Sequence, residues 1–212
     1  MDTRTQRRRT AVSDEWYTPQ WVIDMLGPFD CDPCAAPQAA RPFATAPLCW
    51  TKEDDGLQKD WQGVVWMNPP YSAAPLRRFC EKMAAHGQGI ALLVNRQDNT
   101  LWQEVIFPTA TSMIFMRHRI RFISPDGKRS HPFMGSCLVA WGAESDRRLR
   151  RCGIEGKYVV LNAPPYKDGE QDTTPEDYLL MKSGAAGTFN SQQSVVSIAD
   201  AYRALRMRNE FV

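Results

Sequence analysis

Three apolar, charge-free runs set the pattern of the chain: Val64-Val65-Trp66-Met67, Ile90-Ala91-Leu92-Leu93-Val94 and Met113-Ile114-Phe115-Met116. Their β-branched and aromatic content marks them as buried strands. The segments between them have helical periodicity. Leu76, Phe79, Cys80, Met83 and Ala84 fall at i, i+3, i+4, i+7 and i+8, one apolar face of a helix. Thr100 with Gln103 forms a candidate capping box for a second helix carrying Leu101, Trp102, Val105 and Ile106. Upstream, Thr18 is a candidate cap, Pro19 suits a first helical position, and Trp21, Val22, Met25 and Leu26 give one stripe that Gly27 and Pro28 end. A short strand follows at 29–32, and the Ala- and Pro-rich stretch 33–46 excludes a long regular helix. Downstream, 119–123 alternates polar and apolar, Pro125-Asp126-Gly127 is a turn, and Cys137-Leu138-Val139-Ala140-Trp141 returns as a strand, the pattern of an antiparallel hairpin at a sheet edge. Strand, helix, strand, helix, strand and a final reversal define an α/β fold with a mostly parallel sheet and helices on both faces.

The 212 residues suffice for one domain with a full core and an appendage. The division expected is a flexible basic arm at 1–13, a main domain at 14–142 and an extension at 143–212. The extension is polar and turn-rich to residue 193, with a helix plausible from Ser194, where Val195, Ile198, Tyr202 and Leu205 line one face. No run approaches the ~18 apolar residues that span a bilayer. The opening residues lack the apolar core of a secretory signal, so the expected location is the cytoplasm. The 26 Lys+Arg against 24 Asp+Glu leave a net charge of only +2, too little for a chain that coats nucleic acid. The basic residues nevertheless cluster: Arg4, Arg7, Arg8 and Arg9; Arg117, Arg119 and Arg121; and Arg147, Arg148, Arg150 and Arg151. Such clusters can hold phosphates locally, or serve as solvated surface. Six cysteines in a reducing compartment are expected as thiols. Cys31 and Cys34 have C-x-x-C spacing without the second pair a zinc site needs. His86, His118 and His131 have no ligand spacing either, so no metal is expected.

Asn68-Pro69-Pro70-Tyr71 follows the 64–67 strand directly. In open α/β sheets, ligands bind at the carboxyl ends of strands. Two prolines stiffen the loop and remove two backbone donors. What remains is an Asn side chain, carbonyl acceptors and a flat aromatic ring. That set suits a planar substrate with an exocyclic amine. The Asn68 oxygen and the Pro69 carbonyl can each accept one amine hydrogen, which favours a pyramidal, more nucleophilic nitrogen. Tyr71 can stack on the ring. The alternative is a proline-rich turn that merely ends a strand.

Asn-Pro-Pro-Tyr after an apolar strand resembles the catalytic motif of S-adenosylmethionine-dependent amino-methyltransferases. Further segments, in order, resemble the phage-type Dam-like DNA N6-adenine methyltransferases. They are Trp16-Tyr17-Thr18-Pro19; Asp30-Cys31-Asp32-Pro33-Cys34-Ala35; Asp55-Gly56-Leu57 with Trp61; Asn95-Arg96-Gln97-Asp98-Asn99-Thr100-Leu101-Trp102; Arg119-Ile120-Arg121-Phe122; and Pro132-Phe133. The resemblance covers about residues 14–142 and implies a Rossmann-like class I methyltransferase fold. It implies that Tyr17, Thr18 and Pro19 line the methionine side of the cofactor, that Asp32, Pro33 and Ala35 border its amino-acid and ribose portions, and that Asp55 sits near its adenine or ribose. Asn68, Pro69, Pro70 and Tyr71 would hold the target base. Two departures stand out. Ala35-Ala36-Pro37 replaces the Gly-x-Gly turn of many methyltransferases, and Glu53, Asp54 and Asp55 compete as the carboxylate for the ribose. Asn162-Ala163-Pro164-Pro165-Tyr166 mimics the loop, but its inserted Ala makes it a turn.

The implied reaction is direct methyl transfer from S-adenosylmethionine to adenine N6 in double-stranded DNA, on a flipped-out base. A phage-encoded enzyme would work in the bacterial host cytoplasm. Arg96, Arg119 and Arg121, which follow strand ends, are candidates for DNA contacts, or for surface ion pairs. The spacing leaves no room for a separate recognition domain before Trp141; unless residues 143–212 serve as one, a short or relaxed target site is expected. Asn-Pro-Pro-Tyr also serves methyltransferases of RNA adenine, cytosine N4 and protein glutamine, and a catalytically silent DNA-binding relative would share the fold. The sequence fixes neither the target site nor the oligomeric state.

Overall fold

The computed structural model describes residues 17–123, 129–130 and 134–162. The basic start, Trp16, the turn expected at 125–127, Pro132-Phe133 and the helix expected from Ser194 lie outside them. Seven strands form one sheet in the order β2-β1-β3-β4-β8-β5-β9. These are β1 (Cys31–Asp32), β2 (Leu48–Cys49), β3 (Val65–Met67), β4 (Gly89–Val94), β5 (Ser112–Met116), β8 (Ser136–Trp141) and β9 (Gly156–Val160). Strands β2, β1, β3 and β4 run parallel. Strand β8 is antiparallel to both β4 and β5, so β5 points the same way as β4.

Alternation along the strands builds two cores. Val65, Met67, Ala91, Leu93, Met113 and Val139 face one side, where α2 (Ala73–His86) adds Phe79, Cys80 and Met83. Trp66, Ile90, Leu92, Ile114 and Leu138 face the other, where α1 (Gln20–Leu26) adds Val22, Ile23 and Leu26 and α4 (Ala143–Arg151) adds Leu149. Both faces are covered by helices. Strands covered on both faces need apolar side chains at every position, hence the continuous runs.

The antiparallel part is larger than an edge hairpin. Strand β8 is buried at all six positions and lies inside the sheet. A strand with no polar face is better covered by neighbours than left at an edge. The polar–apolar segment instead ends in β6 (Phe122–Ile123), which pairs with β7 (Arg129–Ser130) as a separate two-stranded sheet. The sheet also continues past residue 142. Helix α4 and edge strand β9 occupy 143–160, part of the stretch expected to be turn-rich, and β9 pairs with β5 over five residues. Buried Asp146 joins them, accepting from Arg150 at 3.0 Å and from the Tyr158 hydroxyl at 2.5 Å.

Two expected caps differ. Pro19, not Thr18, is the N-cap of α1, and no side chain caps it. Asn99, not Thr100, caps the next helix, its Oδ1 accepting the Trp102 N–H at 3.1 Å. Asn reaches the third amide as well as Thr does and sits at the right offset. That helix is short: a π-helical turn, Trp102–Ile106, runs into α3 (Phe107–Thr109).

Candidate active site

The carboxyl ends of β1, β3, β4 and β5 lie on one edge of the sheet, since these strands run in one direction. This brings Asp32 (end of β1), Asn68 (after β3), Arg96 (after β4) and the 117–121 segment (after β5) to the same edge. An open cleft of about 370 Å³, mouth included, lies there. Tyr17, Thr18, Asp32, Ala35 and Asn68 line it, as do Arg41, Thr45 and Trp66.

Asp32 is 3% exposed. Its Oδ1 accepts the Cys34 N–H at 2.9 Å, and its Oδ2 accepts the Thr45 hydroxyl at 2.5 Å. Burial pushes its pKa up to about 6, against the lowering effects of Thr45, the Cys34 amide and the Arg41 charge. A carboxylate held in a dry wall and braced by two donors is set to meet a cation. Tyr17 and Thr18 are buried beside it. Backbone bonds hold them there: Tyr17 N–H to the Ile123 carbonyl at 2.8 Å, and Ile123 N–H to the Tyr17 carbonyl at 3.0 Å. The same strand pairing anchors the segment carrying Arg119 and Arg121. Ile120 and Phe122 turn into the core, leaving Arg119 exposed and Arg121 half-buried.

Asn68 is half-buried on the cleft wall. The Tyr71 hydroxyl lies 2.9 Å from Asn68 Oδ1 and 3.2 Å from the Leu92 carbonyl, donating toward both. An amide oxygen has two lone pairs and can accept more than one hydrogen bond. Burial pushes the Tyr71 hydroxyl well above its ordinary pKa, so it stays a donor. Pro69 is buried and Pro70 half-buried. This loop runs directly into α2, which fixes its far end.

Pro19, Pro33, Asp55, Pro69, Pro70 and Tyr71 do not themselves line the cleft. Asp55 is exposed, in a left-handed backbone conformation, and its carboxylate accepts the Leu57 N–H at 3.2 Å. Asp54 is engaged by the Thr51 amide and hydroxyl at 2.9 and 2.8 Å, which hold its carboxyl below the usual range. Glu53 is exposed. The Asp-Gly-Leu motif serves packing. A Cβ on Gly56 would lie 2.1 Å from the Pro33 carbonyl oxygen. The Gly56 carbonyl accepts Trp61 Nε1 at 2.8 Å. Lys82 Nζ donates to the Leu57 carbonyl at 2.7 Å and sits 5.1 Å from the Trp61 ring centre. Gly56→Ala therefore forces backbone from backbone behind Pro33. We expect a loss of about 1–3 kcal/mol, read as a lower thermal midpoint; an unchanged midpoint would contradict this packing.

Sequence reasoning missed Arg41, Thr45 and Trp66 as cleft residues. Arg41 and Thr45 lie in the irregular 33–46 stretch, where only isolated polar residues among Ala and Pro gave a signal. The third basic cluster goes to α4 itself. Arg147 and Arg148 pair with Glu144, Arg150 pairs with Asp146, and Arg148 Nη1 also donates to the Pro28 carbonyl. Cys31 is a core residue whose thiol donates to the Gln62 carbonyl. Asn162 binds the Phe107 and Ala110 carbonyls through Nδ2, a structural use outside any ligand site.

The mostly parallel sheet, helices on both faces and a cleft at the carboxyl edge are those of a Rossmann-like methyltransferase. The chain belongs to the DNA N-6-adenine-methyltransferase (Dam) family, whose family model matches residues 5–153. The match extends past residue 142 into α4. Membership implies DNA adenine N6-methyltransferase activity. No curated protein and no solved structure matches the chain. No helix among the described residues is long and apolar enough to cross a membrane.

Proposed function

We propose that the protein transfers a methyl group from S-adenosylmethionine to N6 of an adenine turned out of duplex DNA. One observation carries this: Asn68, the amine acceptor, stands on the wall of the same cleft as Asp32, Tyr17 and Thr18. The cleft residues fit the cofactor, because the wall holds a buried carboxylate and a buried guanidinium nitrogen without a partner among the described residues, and the cofactor's amino-acid end is a zwitterion. The bound cofactor supplies an electrophilic methyl on a sulfonium.

The chain's own part is positioning. Asp32, Thr18 and Tyr17 face the amino-acid end, Ala35 borders it, and Pro19 and Pro33 shape the wall from behind. Asp55 keeps to its turn. Asn68 Oδ1 and the Pro69 carbonyl accept the two amine hydrogens, leaving the nitrogen lone pair for the methyl carbon. Pro70 holds the loop rigid. Tyr71 fixes the Asn68 amide through its hydroxyl and offers its ring to the base. Holding the reacting atoms in line supplies most of the rate. No side chain needs to remove a proton before attack, since the amine proton leaves after the bond forms. Extrusion of the base costs a few kcal/mol, and stacking returns about 1–3 kcal/mol.

Incubation with methyl-labelled cofactor and unmethylated DNA, followed by nucleoside analysis, tests the proposal. N6-methyladenine is the expected product. Label in N4-methylcytosine alone, or only in RNA or protein substrates, would overturn it. Arg96, Arg119 and Arg121 are assigned to the DNA. Each phosphate contact contributes about 0.9 to the slope of log affinity against log salt. Arg119→Ala and Arg121→Ala should each flatten that slope by about one, in DNA-binding titrations from low to moderate salt. An unchanged slope would return that arginine to the protein surface.

A further inference from the structure

We propose that Arg41 recognises the α-carboxylate of the methionine end of S-adenosylmethionine, with Asp32 meeting the ammonium beside it. This deepens the methyltransferase reading and rests on it. Arg41 lines the cleft with Thr18, Asp32 and Asn68. Its Nη1 is shut off from solvent and has no hydrogen-bond partner among the described residues. A guanidinium is always charged and only donates, and a buried donor left unmade is expensive. No hydrogen bond joins it to Asp32, whose carboxylate accepts from the Cys34 amide and the Thr45 hydroxyl and keeps lone pairs to spare. Arg41 acts on Asp32 only through its charge. The arginine therefore awaits an anion inside the cleft. The cofactor has one anionic group. Its sulfonium and ammonium are cations, and its adenine and ribose are neutral. Only the α-carboxylate matches the guanidinium, and a fork of N–H groups against a carboxylate is the geometry arginine serves best.

The test uses the full chain and two ligands, S-adenosylmethionine and its decarboxylated analogue, in calorimetric titrations without DNA. Wild-type protein should bind the intact cofactor about 10- to 100-fold more tightly than the analogue, the range of a charged hydrogen bond. Arg41→Gln should lose about that factor for the intact cofactor and change less than about threefold for the analogue. Arg41→Lys should recover part of the loss. Equal loss for both ligands would make Arg41 a structural residue and overturn the assignment, as would no loss for either. The wild-type ratio stands without any variant: a ratio near one overturns the assignment alone. Wild-type protein that bound neither compound would instead overturn the methyltransferase reading.

Discussion

Asn68→Ala should abolish most methyl transfer while leaving cofactor affinity within about threefold of wild type. The expected loss in turnover is about 100- to 1,000-fold, the range for removing one pre-placed polar group from a transition-state site. The residue stands on the cleft wall, and the proposed mechanism gives its oxygen a bond that strengthens as the amine pyramidalises. An interaction made mainly in the transition state lowers turnover more than binding. Alanine also strips the Tyr71 hydroxyl of one acceptor, but the Leu92 carbonyl at 3.2 Å remains for it. The loop should therefore stay folded, which a normal thermal midpoint would show. Tyr71→Phe separates the two jobs of that side chain. It keeps the ring and removes the hydroxyl that meets Asn68 Oδ1, so a smaller loss of about tenfold is expected. Single-turnover rates with saturating DNA and cofactor measure both. An Asn68→Ala protein that methylates adenine at the wild-type rate would remove Asn68 from the chemistry.

The parts of the fold visible in the sequence are those where one physical signal dominates. Strands β3, β4 and β5 are covered on both faces, so their apolar runs could hardly be anything else. Helix α2 shows a clean stripe because one side meets the sheet and the other meets water. Strand β2 is two residues long with Leu48 exposed, and gives no pattern to read. Helix α4 is mostly charged, and its core contribution rests on Leu149 with buried Ser145 and Asp146. Its arginines read as an interaction cluster until the intrahelical partners are placed. Strand β9 is an edge whose residues are half-buried or exposed, so its alternation is faint. The site divides the same way. Asp32, Asn68, Tyr17 and Thr18 belong to ordered motifs, and strand direction brings them to one cleft. Asp55 belongs to a motif too, but the adjoining Gly56 touches Pro33 and turns that motif to packing. Arg41 and Thr45 were invisible, because what defines them is a tertiary neighbour, the Asp32 carboxylate, and no local period.

Asp32 sets stability against function, and Asp32→Asn should expose the conflict. Burial holds its folded pKa at about 6, above the unfolded value of 3.8. A carboxyl with a raised folded pKa favours the fold fully below the unfolded value. That favour is lost as pH rises through about 6, because the folded state then gives up a proton it held against burial. The accumulated penalty at pH 7 is about 3 kcal/mol by linkage. Asparagine is nearly isosteric. Its oxygen can keep the Cys34 amide, and its amide can donate to the Thr45 hydroxyl. The variant should unfold at a higher temperature than wild type at pH 8, by roughly 5 °C or more, and the gap should close near pH 4. Cofactor affinity should move the other way. At pH 8 the variant lacks the anion for the ligand ammonium and should bind about tenfold or more weakly. Wild-type affinity should fall as pH drops through the Asp32 titration, while that of the variant stays flat across the same window. Calorimetric titrations and thermal melts at matched pH values read both effects. A variant less stable than wild type at pH 8, or one that binds the cofactor equally well, would mean the carboxylate is a structural brace rather than a stored charge facing the ligand.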